Sequence, residues 1–136
     1  MPRGDMVNRS VALSSAILLA ILLSGCAGTA ESADRPTPTY TAEEQLGNQL
    51  FTTHCSSCHS TIPESIVVGP SMAGVASRAG SRMEGVGARE YLKMSIEQPS
   101  AYVVEGFGDL MPGTVAESLS EEEKDAIIAY LMSLDE

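Results

Sequence analysis

The sequence predicts a small, loop-rich, all-α domain over residues 41–136. Near each end of that span, a capping box opens a segment whose apolar residues recur at helical spacing. Between these segments, the stretch from Pro63 to Gly87 is rich in glycine and shows no sustained alternation of apolar and polar residues, so no strand is expected there. The chain has no internal repeat.

The first helix starts at Thr41-Ala42-Glu43-Glu44, where the Thr hydroxyl can accept from the N3 amide while Glu44 reaches back. Leu46, Leu50 and Phe51 form its expected apolar stripe. Gly47 sits inside it at a propensity cost of about 1 kcal/mol, which calls for a packing explanation. A short helix is expected near Met72 to Ala79. A further helix runs from about Ala88 to Glu97 and is stopped by Pro99 after Gln98. The last opens on Ser120-Glu121-Glu122-Glu123, and Ile127, Tyr130, Leu131 and Leu134 recur at i, i+3, i+4 and i+7.

A chain of 136 residues supports one small domain. Eight Lys plus Arg against 18 Asp plus Glu, a net charge of −10, argue against a surface for nucleic acid. Two histidines and no tryptophan leave few ingredients for a multi-residue hydrolytic site. Three cysteines, Cys26, Cys55 and Cys58, are too few for a disulfide scaffold. With 4% aromatics the domain has a thin core of its own, and something else is expected to fill it.

Residues 1–25 have the layout of a bacterial export signal. Arg3 and Arg9 precede the apolar run Val11 to Leu23, which is shorter than the ~20 residues needed to span a bilayer. The run exits through Leu23-Ser24-Gly25-Cys26, a pattern that resembles the lipobox of bacterial lipoproteins, in which the cysteine is lipidated and becomes the new N-terminus. Loss of Arg3, Arg9 and Asp5 would leave six basic against 17 acidic residues and a net charge of −11. Residues 26–40 then read as a lipidated N-terminus and flexible linker, small and polar with Pro36 and Pro38. The expected location is the exported face of a membrane, held there by the lipid.

Cys55-Ser56-Ser57-Cys58-His59 is the strongest signal in the chain and reads as a c-type haem attachment site. One helical turn brings the two thiols to the separation of the porphyrin vinyl groups, and His59 then points at the iron from the same side. Zinc would need a fourth ligand, and only His54 is at hand, crowded against the other three. A thioredoxin-like redox pair would want a preceding strand, whereas the preceding segment here is helical. A structural disulfide would leave His59 idle.

The sixth iron ligand must come from elsewhere, because a neighbour of His59 in sequence cannot reach the opposite face; His54 therefore reads as a surface residue. Met94 and Met132 fall in expected helices, where methionine commonly fills core space. Met72 and Met83, in the glycine-rich stretch, stay open. Met111 is preferred on spacing and loop context: it lies 52 residues beyond His59, in Gly108-Asp109-Leu110-Met111-Pro112.

Thr41 to Leu134 resembles class I cytochromes c. Gly47 and Phe51 in the first helix, CSSCH, Gly69-Pro70, the Leu110-Met111-Pro112-Gly113 segment and Ala129-Tyr130-Leu131 follow in the family's order. The middle of the chain is especially similar to haem domains of membrane respiratory complexes: the cytochrome domain of some oxidase subunits II and the mono-haem lipoprotein of alternative complex III. The resemblance implies a small class I cytochrome c fold, with N- and C-terminal helices crossing at Gly47 against Tyr130 and loops wrapped around one covalent haem c. It implies that the Pro70 carbonyl accepts the outer His59 proton and that Met111 is the sixth ligand. It places Arg78, Arg82 and Tyr102 where propionate partners are found. Filled axial positions make an electron carrier rather than an enzyme the expected function. The alternatives are a haem peroxidase or ligand sensor whose sixth site opens, and a structural subunit. The expected partners are subunits of a membrane electron-transfer complex, with a small redox carrier or terminal oxidase beyond it.

Overall fold

The computed structural model describes residues 38–135. The export signal, Cys26 and most of the linker lie outside the described residues.

Helix α1 spans Ala42–His54 and is closed at its start by the expected capping box: the Glu44 amide donates to Thr41 Oγ1 at 3.2 Å and the Thr41 amide to Glu44 Oε2 at 2.7 Å. Helix α2 is a single turn, Val75–Ala79, starting three residues later than the sequence suggests. Gly74 precedes it with φ +59°, a left-handed conformation that breaks the run from Met72. Helix α3, Ala88–Glu97, ends as predicted, and Pro99–Ala101 continue as a 3-10 turn. A short helix α4, Thr114–Glu117, carries no periodic signal and was not expected. Helix α5, Glu121–Met132, begins with the second capping box, in which the Ser120 amide donates to Glu123 Oε2 at 2.9 Å and the Glu123 amide to Ser120 Oγ at 3.2 Å. Among the described residues there is no strand beyond an isolated bridge between His59 and Ile66.

α5 is the central element, with most of its surface buried from Ala126 to Leu131. Its largest partner is α1, and the two meet at Gly47. A Cβ there would fall on the Ala126 carbonyl and 2.8 Å from Tyr130 Cβ, so only glycine permits this approach. The contact also re-centres the expected stripe of α1. Gly47 and Phe51 are the buried positions and Leu50 is half-buried, whereas Leu46 is 43% exposed because it points away from α5. Tyr130 is flanked by Phe51 and by Tyr40, each ring 5.6 Å away, so the packed domain begins at Tyr40, inside the segment read as linker.

α3 packs on the other side of α5, and ion pairs lace the two together. Lys124, almost buried, contacts Glu97 at 3.2 Å and also Glu121. Lys93 contacts Glu97 at 3.4 Å and Glu121 at 2.7 Å. The acidic start of α5 is thus partly a clamp between helices as well as a cap. Pairing with Lys124 and then Lys93 holds Glu121 down to about 2.

Candidate haem site

α1 delivers the attachment motif. The helix ends at His54, and the next residues coil once more: the Cys58 and His59 amides donate to the Cys55 carbonyl at 3.0 and 2.9 Å. That turn sets the half-buried Cys55 and Cys58 thiols and the His59 ring around one apolar cavity of about 240 Å³. Burial, and secondarily the neighbouring Cys58 sulfur, push the Cys55 thiol up to about 11. Among the described residues no group of three or more His, Cys, Asp or Glu side chains could hold a metal ion, which leaves the zinc reading without a donor set.

His59 is locked in one orientation. Its Nδ1–H donates to the Pro70 carbonyl at 2.9 Å, and because a carbonyl only accepts, Nε2 keeps its lone pair free for iron. The loop that brings Pro70 there is itself held: the Val68 and Gly69 amides donate to the Cys58 carbonyl at 3.1 and 2.9 Å, and the Met72 amide to the Ser60 carbonyl at 2.7 Å. Gly69 has a role that sequence reasoning missed. A Cβ at this position would stand 2.8 Å from His59 Nδ1, so the imidazole lies flat against a residue with no side chain.

Of the methionines, Met72 and Met111 line the cavity, while Met83, Met94 and Met132 pack half-buried against the core outside it. Met72 is tied to the His59 side through Ser60. Met111 enters from the separate loop between the 3-10 turn and α4.

Arg78, Arg82 and Tyr102 all line the cavity. Arg78 has a structural task as well: its two terminal nitrogens donate to the Ala73 and Ser71 carbonyls at 2.6 and 2.8 Å, clamping the loop beyond Pro70. Tyr102 packs edge-on against Tyr91 at 5.6 Å. His54, expected at the surface, is half-buried and borders the cavity. Core residues Phe51, Leu92, Ile96, Ile127 and Leu131 form the apolar wall, so the core and the wall of the site are the same side chains.

Fold and site together define a small all-α domain built to attach one planar, apolar cofactor through two thiols and a histidine. The family model described as Cytochrome c matches residues 44–135, and the chain belongs to that family. Its cofactor is covalent haem c, with Cys55 and Cys58 at the attachment spacing, and its chemistry is haem-based electron transfer. A comparison with curated proteins finds no match.

Proposed function

We propose that this chain is a membrane-tethered mono-haem electron carrier with His59 and Met111 as axial ligands, working as a subunit of a respiratory or photosynthetic electron-transport complex. The carrying observation is that Cys55, Cys58, His59 and Met111 line one apolar cavity, with His59 already oriented by Pro70.

Bound haem c supplies a reversible one-electron couple. The residues of this chain do the rest. Cys55 and Cys58 fix the ring, and Pro70 holds the His59 proton so that the imidazole donates strongly. Met111 supplies a soft thioether that favours the reduced state. The apolar wall keeps water from the iron and disfavours the extra charge of the oxidised state.

Tethering rests on the Leu23-Ser24-Gly25-Cys26 pattern, and membership of a complex rests on the resemblance of the middle of the chain to complex-bound haem domains. A domain on a short linker serves neighbours on its own membrane surface, and a mature charge of −11 would steer it toward basic partners. The test is reduction of the haem by its native membrane at low and high ionic strength, with extraction in mild detergent. Salt-independent reduction and co-purification at fixed stoichiometry are expected of a subunit. A strong decline with salt and easy loss from the complex would establish an independent tethered shuttle. Acyl mass on a native N-terminus at Cys26 is expected in either case.

A further inference from the structure

The loop that follows the attachment motif exposes a run of large apolar side chains: Ile62 at 66%, Ile66 at 65%, Val67 at 53% and Val68 at 46%. Its backbone is pinned, so these groups are held outward. The Ile62 amide donates to Ser60 Oγ at 3.0 Å, and its carbonyl accepts from the Ser65 amide at 3.2 Å and from Ser71 Oγ at 2.7 Å. Ile66 bridges to His59, and the Val68 amide is held by the Cys58 carbonyl at 3.1 Å. A fixed, exposed apolar cluster marks a surface that something covers.

Two observations say what covers it. The first is charge. From Gln45 to Ser77 the only formally charged side chain, counting His as neutral, is Glu64, in a chain with eight basic and 18 acidic residues. A basic protein partner finds almost nothing here to pair with, whereas an apolar medium needs no charge. The second is where the chain enters the domain. Tyr40 packs edge-on against Tyr130 at 5.6 Å, and Tyr130 lines a surface cleft together with Thr61, Ile62 and Val67. The apolar loop therefore neighbours the point where the segment from Cys26 arrives. Fourteen residues separate Cys26 from Tyr40, a flexible reach of about 20 Å. With lipid on Cys26, contact of this face with the bilayer becomes an intramolecular event.

We propose that the loop 62–68 seats in the interfacial layer of the bilayer that carries the Cys26 anchor, and so fixes how the domain stands on the membrane. Among the described residues no helix is long and apolar enough to cross a membrane, so the contact is interfacial. Glu64, exposed between Ile62 and Ile66, limits the depth, because its carboxylate must stay among wet headgroups. The lipid sets the distance of the domain and the loop sets its orientation.

The inference rests on lipidation of Cys26, and the experiment separates the two. In the haem-loaded, full-length protein the haem takes Cys55 and Cys58 and the lipid takes Cys26. Ile66→Cys or Glu122→Cys then supplies one free thiol for a nitroxide label; Glu122 is exposed, near the opposite end of α5 from Tyr130. Each labelled protein is placed in vesicles of phosphatidylcholine and phosphatidylglycerol holding no other protein, and its N-terminal mass is measured. The label at 66 should be relaxed by oxygen and shielded from a water-soluble nickel complex, while the label at 122 stays open to nickel. Adding Ile62→Ser should lower the ratio of seated to free loop about tenfold, since most of that side chain is exposed for burial in lipid. Equal nickel access at 66 and 122, in protein whose Cys26 carries acyl mass, overturns the seating and leaves the tether standing. Shielding that appears only in native membranes, or that rises with protein density in the vesicles, also overturns it, in favour of a protein partner or a second copy. Absence of acyl mass on Cys26 overturns the tether, and the seating with it.

Discussion

His59 shows how much of the site is decided around a single ring. Its proton is taken by Pro70, its flat face is admitted by Gly69, and its backbone is set by the turn that begins at Cys55. These contacts lie within one short stretch, so this side of the site is built from neighbouring chain. The distal side is different. Met111 comes from a loop 52 residues away and lines the same cavity. Met111→Ala is expected to open the iron to cyanide, lower the potential and remove the thioether band. Met83→Ala, Met94→Ala and Met132→Ala should leave the band in place, since those side chains lie outside the cavity. Loss of the band in any of these three, with Met111→Ala unaffected, would transfer the ligand role.

At the scale of the helices, the crossing of α1 and α5 holds the frame. Alanine is ordinarily the better helix former by about 1 kcal/mol. At Gly47 the added carbon collides with the Ala126 backbone, which cannot move aside as a flexible side chain would. Gly47→Ala is therefore expected to lower stability, by about 1–3 kcal/mol on the scale of overpacked cores. Ser120→Ala, which removes a cap without touching the crossing, should cost about 1 kcal/mol. Denaturant unfolding of the haem-loaded protein measures both. A gain in stability for Gly47→Ala would mean that the helices can separate without loss.

For the whole molecule, the acidic surface has a definite pH signature. Lys124 and Lys93 hold the Glu121 carboxyl down to about 2 from its ordinary 4.5. A carboxyl lowered in the folded state stabilises above its unfolded value, and that contribution fades as pH falls from about 4.5 toward 2. The side chain is 62% exposed, so solvent screens the pair and the effect is small. Glu121→Gln should make the acid limb of the stability profile shallower in that window, with the difference shrinking at high salt. An unchanged acid limb would show that the clamp between α3 and α5 contributes nothing measurable.

The sequence by itself determined what depends on near neighbours. Both capping boxes, the extent of α3 and the attachment motif were legible because each is a pattern of a few adjacent residues or of one helical period, whereas the crossing at Gly47 came through resemblance. The Pro70 bond to His59 and the family's architecture came through resemblance. Tertiary structure alone decided the rest. Leu46 is exposed and Gly47 buried because α5 approaches there, a fact of no single helix. α2 begins late because Gly74 turns left-handed, and α4 is too short to show a period. The presence of Met72 and Met111 at the cavity and of the other methionines outside it, and the flat contact at Gly69, depend on which side chains share one space. Such sharing is set by chain segments far apart in sequence, and so has no local signature to read.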